Sequence, residues 1–137
     1  MYLLDTNVIS ELRRPRPNRA VLAWFEGVHS EDVHFSAMTI AEIQRGIEKC
    51  RSEDSDKAQE LSEWLEGRLL SGFDVLPFDA RAAREWGRMM HNQSAKLAQD
   101  AVIAATASVH SLTVVTRNAK DFRRLGVAYL NPFEFGR

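Results

Sequence analysis

Short apolar segments of strand character alternate with helical stripes along the whole chain, and this alternation constrains the fold more than any other feature. Leu3 and Leu4 end a first strand, Val33 to Phe35 form a second, and Phe73 to Phe78 a third, broken at Pro77. Leu112 to Val115 is a β-branched run of the buried parallel kind, and Val127 to Leu130 closes the series before Asn131-Pro132. Between the strands lie helices. Asn7 can cap one through Leu12, stopped by Pro15 and Pro17, and Asn18 can cap the next, with Val21, Trp24, Phe25 and Val28 at helical spacing. Thr39 precedes a helix with Ile40, Ile43 and Ile47 on one face; Leu61, Trp64, Leu65 and Leu69 mark another. Asp79 caps a helix carrying Ala82, Ala83, Trp86, Met89 and Met90, while Ala101 to Val109 is apolar nearly all round, as a central buried helix should be. Strands separated by helices pair in parallel, which predicts an α/β fold with a central, mostly parallel sheet covered by helices on both faces. The 137 residues suit one domain, 1–137, large enough to bury an ordinary core.

Within this frame four acids stand out. Asp5, in the run Leu4-Asp5-Thr6-Asn7, follows the first strand directly, so it projects where open α/β sheets bind their ligands. Glu42 lies just inside the helix after the second strand, Asp100 opens the apolar helix, and Asp121 follows the fourth strand by way of Thr116-Arg117-Asn118. Each also has a structural reading. Asp5, Asp100 and Asp121 fit helix caps or turns, and Thr39-x-x-Glu42 fits a capping box. If they share one crevice, their mutual repulsion calls for a cation. All-oxygen ligation suits Mg²⁺ or Mn²⁺, which polarise phosphoryl oxygens and activate water, so the chemistry points to phosphodiester hydrolysis. Thr6, Asn7, Thr116 and Asn118 flank two of the acids with short hydrogen-bonding side chains able to orient carboxylates, although Asn7 and Asn118 equally suit caps.

A net charge of −1 gives the whole molecule no general attraction for a polyanion, so any phosphate must be held locally. Arg13, Arg14 and Arg16 after the first motif, and Arg117 beside the last, are the candidate contacts, set against the plainer reading of a solvated surface. The single Cys50 and four scattered histidines form no zinc-type spacing, and no apolar run is long enough for a bilayer. A cytoplasmic protein without membrane association is expected.

The segments LLDTNVISEL, TIAEIQRGI, QDAVIAATA and VVTRNAKDF, with the closing LNPFEF, resemble the PIN-domain family, specifically the VapC-like and FitB-like ribonuclease toxins of bacterial toxin-antitoxin pairs. The resemblance runs from Met1 nearly to the C-terminus. It implies a Mg²⁺- or Mn²⁺-dependent endoribonuclease with acidic residues at Asp5, Glu42, Asp100 and Asp121 and a polar threonine at Thr116. It also implies a homodimer, neutralised by a cognate antitoxin that carries a DNA-binding domain. Leu61 to Leu69 and the helix around Trp86 are the candidate dimer surfaces, although these stripes equally suit core, the preferred reading for the Trp86 helix; Trp24, Phe25 and the same Leu61 to Leu69 helix are candidates for the antitoxin. The expected arrangement has Asp5, Glu42 and Asp100 around a principal metal, with Asp121 completing the shell or holding a water or second ion. In-line attack then leaves a 3′-hydroxyl and a 5′-phosphate.

Two rivals remain. A haloacid-dehalogenase-like phosphatase also places an Asp after its first strand, but wants a second acid two residues later, where this chain has Asn7. A non-catalytic regulator would use the acidic crevice only to bind a metal or a basic peptide.

Overall fold

The computed structural model describes residues 1–137. Strand β1 (Tyr2–Leu4) lies at the centre of a five-stranded sheet, flanked by β2 (Val33–Ser36) and β3 (Asp74–Leu76) on one side and by β4 (Thr113–Val115) and β5 (Tyr129–Leu130) on the other. Every pairing is parallel, with Tyr2 opposite Val33 and Leu4 opposite Val115, so the sheet expected to be mostly parallel is wholly so. Each crossover carries at least one helix: α1 (Thr6–Arg13), α2 (Arg19–Glu26), α3 (Ala37–Arg51), α4 (Ser55–Trp64), α5 (Ala80–Met90), α6 (Ala98–Val109) and α7 (Ala119–Arg124). Because the chain winds outward in both directions from β1, the carboxyl ends of β1 and β4 meet where the strand order reverses. A crevice forms there in sheets of this kind.

Side-chain alternation along the strands divides the core in two. Leu4, Val33, Phe35 and Val115 face one side, packed against Val8, Ile9, Val21, Trp24, Ile47 and Leu65 of the first helices. Leu3 and Val114 face the other, against Ile103, Ala104 and Ala107 of α6 and Phe122 of α7. The buried face of α6 is largely alanine, which lets that helix lie close to the sheet and brings its first turn to the crevice.

Local sequence signals set most of the boundaries. Asn18 and Asp79 cap α2 and α5 as their sequence context predicts, accepting from the backbone N–H of Ala20 and Ala82. Two caps differ from expectation. Asp5, not Asn7, caps α1, and Ser36, not Thr39, caps α3 by accepting the Thr39 N–H at 3.2 Å. The extended chain of β2 runs through Ser36, so the helix starts one turn earlier and Thr39 becomes its buried third residue. Glu42 therefore sits beyond the capping position, and no capping box exists. Asp100 is likewise the third residue of α6, not its cap.

Of the two readings of the apolar stripes, contact surface or core, core holds for most of their residues. Trp24 is buried edge-on to Tyr2, Leu65 and Leu69 are buried, and Trp86 is half-buried with its indole N–H donating to the Ala98 carbonyl. Leu65–Leu70 leave the α-helical path of α4 as one π-helical segment. The third and fifth strands are shorter than their apolar runs; Phe78 is exposed. No helix is long and apolar enough to cross a membrane.

Ser36 is fully buried, so removing its hydroxyl leaves the Thr39 N–H without a partner inside the protein. Ser36→Ala should cost about 1–2 kcal/mol of unfolding free energy, read as a lower urea midpoint at unchanged slope.

Candidate active site

Asp5 is the centre of the crevice at the carboxyl end of β1. Its backbone N–H donates to Val115 O, continuing the β1–β4 ladder for one residue, and its side chain turns back as the cap of α1. Oδ1 accepts the Thr6 N–H at 2.8 Å, while Oδ2 accepts the Asn7 amide at 3.1 Å and the Thr116 hydroxyl at 2.8 Å. The two donors to Oδ2 occupy both its lone pairs and leave acceptor capacity on Oδ1. Only 4% of Asp5 is exposed. Burial pushes its carboxyl above the ordinary Asp range, against the lowering effect of its three donors.

The polar neighbours extend this arrangement. Thr116, fully buried at the end of β4, accepts the Asn118 N–H at 2.9 Å while donating to Asp5, and so fixes the turn into α7. Asn7 bridges the two loops, since its Oδ1 accepts the Arg117 N–H at 3.2 Å. Thr6 donates its hydroxyl to Glu42 Oε1 at 3.0 Å and lies 3.4 Å from Thr39 Oγ1, linking α1 to α3. Three of the four flanking residues thus orient the site through their side chains. Asn118 contributes its backbone N–H, and its side chain caps nothing.

Asp100 stands in the first turn of α6 and Asp121 in the first turn of α7, near enough for the charge of Asp121 to raise the Asp100 carboxyl. The Asp100 carboxyl is pushed up to about 6, first by burial and then by repulsion from Asp5, Asp121 and Glu42. Glu42 is also raised, by burial and by Asp5, against the lowering effect of the Thr6 hydroxyl. Asp100 is therefore within electrostatic reach of the other three acids found in sequence, and Glu42 of Asp5. They do not form a finished cage: no three His, Cys, Asp or Glu side chains converge tightly enough to hold an ion by themselves.

The basic residues fare unequally. Arg117 lies over the Phe133 ring at 4.6 Å, next to the Asn7 bridge, and Arg13 stacks on Trp64 at 5.3 Å. Arg13 stands between an apolar cleft of about 270 Å³, lined by residues including Leu12, Phe25, Trp64 and Phe73, and a second cleft that reaches Thr6 and Glu42. Arg14 pairs with Glu11 at 3.3 Å, and exposed Arg16 joins no ion pair. A residue not singled out in sequence, Glu11, is buried and accepts the Asn18 N–H at 2.9 Å, which tightens the turn between α1 and α2. Its place in the α1 stripe gave no sign of this, because its partner is a backbone group seven residues away.

A wholly parallel α/β sheet with acids gathered near the carboxyl ends of its strands defines the class of architecture, and the sequence gives the family. Residues 2–128 match the PIN domain model, and the chain belongs to the PIN-domain family. It is 41% identical to Toxin FitB of Neisseria gonorrhoeae, over 97% of this chain and 99% of that protein, and 38% identical to VapC ribonuclease Y4jK of Sinorhizobium fredii, over 98% and 99%. The structure of FitAB bound to an IR36 DNA fragment contains a chain 39% identical to this one, with a TM-score of 0.87 over 100% of this chain and 99% of that one.

The raised Asp100 has a consequence for stability. The folded protein holds this proton up to about pH 6, whereas the unfolded chain releases it near 3.8, so the stability Asp100 contributes is fully present below 3.8 and is lost as pH rises through 6. Asp100→Asn removes the penalty. In EDTA the variant should melt above the wild type at neutral pH, with the difference vanishing below pH 3.8. Calorimetry at the two pH values checks it; an equal difference at both would mean that charge is not the cause.

Proposed function

We propose that this chain is a metal-dependent endoribonuclease and the toxin of a toxin-antitoxin pair. The observation that carries this reading is the buried, triply hydrogen-bonded Asp5 beside an Asp100 whose carboxyl is pushed up to about 6 by burial and then by three other acids. Although Asp5 also caps α1, a cluster of carboxylates of this kind is a good hard-cation site. Mg²⁺ retains several waters and is commonly held by one or two carboxylates together with substrate phosphate, so a site without a closed three-ligand cage fits it. The donor set is all oxygen, as Mg²⁺ and Mn²⁺ prefer.

Asp5, through Oδ1, and Asp100 would hold the ion, with Glu42 and Asp121 completing the negative surround. When bound, the ion supplies Lewis-acid stabilisation of the scissile phosphate and lowers the pKa of water. The chain's own contribution is position. Thr116 and Asn7 fix the Asp5 carboxylate from one side, Thr6 fixes Glu42 from the other, and Arg117, over Phe133, and Arg13, over Trp64, would receive the flanking phosphates. In-line attack of water on phosphorus breaks the P–O3′ bond, and the leaving oxygen takes a proton to give the 3′-hydroxyl and a 5′-phosphate. Asn7 donates its amide to Asp5 where a phosphatase of the haloacid type would need a second acid, so that rival has no support.

RNA is the substrate supported by the relative named VapC ribonuclease, and the toxin role by the relative named Toxin FitB. A cognate antitoxin bearing a DNA-binding domain is the corresponding partner, in keeping with the DNA-bound FitAB complex. Its apolar tail has a seat in the cleft of Phe25, Trp64 and Phe73, from which a basic side chain reaches the acids past Arg13. The working form is a homodimer in the cytoplasm.

Cleavage of end-labelled RNA should require Mg²⁺ or Mn²⁺, stop in EDTA, and be abolished in Asp5→Asn and Asp100→Asn with the circular dichroism of the wild type. Glu42→Gln should also lose activity, since no capping role protects it. Thr116→Val should slow cleavage by about ten- to hundredfold, with partial recovery in Thr116→Ser, as expected for a residue that orients a metal ligand. Wild-type rates in Asp5→Asn, from nuclease-free preparations, would refute the assignment.

A further inference from the structure

A polar cleft of about 340 Å³ adjoins the acidic crevice and is lined by Glu42, Arg45, Gly46, Lys49 and Gln99, with no apolar side chain among them. Four of these residues fall at i, i+3, i+4 and i+7 on α3, so they share one face of the helix and span roughly 10 Å along it. Gln99 comes from the first turn of α6, directly before Asp100. Glu42 and Gly46 also line the cleft on the other side, with Thr6, Ser10 and Arg13, which makes the surface over Gly46 the saddle between two open hollows.

Gly46 is the unusual member. It lies in the interior of α3, where glycine is the least favourable residue after proline, yet it is exposed and a Cβ built there would meet nothing within 4 Å. Neither backbone conformation nor packing calls for glycine at this point. Gly87 in α5 is equally open, but it borders neither hollow. What the missing side chain at position 46 provides is a low pass beside Glu42, allowing a ligand to approach the helix backbone closely. Arg45 and Lys49 flank that pass. Both are exposed and neither forms an ion pair, whereas the neighbouring Arg51 is held by Glu48.

We propose that the RNA strand crosses α3 at Gly46, with Arg45 and Lys49 holding backbone phosphates beside the one aligned on Glu42 and Asp100. The proposal rests on the ribonuclease reading and adds the path of the substrate to it. On the Arg45 and Lys49 side of Gly46 polynucleotide fits better than a protein tail, because that cleft offers cations and polar groups for phosphate and no apolar pocket for a protein anchor, whereas the hollow on the far side of Gly46 also exposes Ile43, Leu61 and Trp64. Phosphates held here keep the polyanion in place against a site whose own charge repels it.

Cleavage kinetics and binding of a fluorescein-labelled single-stranded RNA of mixed composition, the latter in an Asp5→Asn background, test the path. Gly46→Ala and Gly87→Ala should both raise the melting temperature, but only Gly46→Ala should raise KM. Gly46→Leu should raise KM further with kcat little changed. Arg45→Ala and Lys49→Ala should each weaken RNA binding across sequences and reduce the slope of log affinity against log salt by about 1, with Lys57→Ala as the unaffected control. Wild-type KM in Gly46→Leu, with unaltered salt slopes in Arg45→Ala and Lys49→Ala, would overturn the path while leaving the ribonuclease reading intact. Loss of antitoxin binding in Gly46→Leu with RNA affinity preserved would overturn it too, assigning this face to the protein partner. Absence of cleavage and RNA binding by the wild type would instead sink the reading on which the path rests.

Discussion

The Asp5 carboxylate, buried between the ends of β1 and β4, is the interaction on which the rest of the site depends. Its Oδ2 takes hydrogen bonds from Thr116 at the end of β4 and from Asn7 in α1, so one side chain joins two neighbouring strand ends to the first helix. An unpaired carboxylate in that position would be costly, and three donors offset part of the cost while fixing both oxygens. From this anchor the other contacts follow. Thr6, adjacent to Asp5, reaches Glu42 on α3, and Asn7 reaches the backbone of Arg117 before α7. Elements remote in sequence are thereby brought into register around one crevice.

The same arrangement concentrates negative charge. Asp100 feels Asp5, Asp121 and Glu42 at once, and no cation of the protein neutralises them at close range; the ion pairs lie elsewhere. Burial and repulsion of this kind lower the stability of the free protein at neutral pH, and a hard cation or a basic group from a partner would relieve them. On the proposed reading, the feature that weakens the fold is the one that would bind. Such opposition between local stability and function is expected at active sites.

Much of this was legible in the residues themselves. The strands around Leu4, Phe35 and Val115 declared themselves by short apolar runs, and Asn18 and Asp79 announced the helices they cap, because these signals are local. The four acids could be picked out from their places after strands or at helix starts. What sequence could not decide was competition between adjacent polar residues. Ser36 and Thr39 both suit a cap, and β2 pairing through Ser36 settled the choice in its favour. Asn7 looked like a cap but serves as a bridge, a role that depends on Arg117 lying 110 residues away. Whether Trp24 and Leu65 were core or spare surface stayed open, because helical periodicity reveals an apolar face without revealing what covers it; both are buried. Gly46 passed unnoticed for the opposite reason, since only a structure shows that nothing packs against it.

The claim that the acids form one frustrated cluster relieved by a hard cation is tested most directly by following the Asp100 side-chain carboxyl through a pH titration by carbon-detected NMR, first in EDTA and then with saturating Mg²⁺. The account predicts a midpoint of about 6 in EDTA and a fall below the ordinary Asp range when Mg²⁺ is present. An Asp100 that titrates near 3.8 in EDTA, or one whose midpoint Mg²⁺ leaves in place, would contradict it.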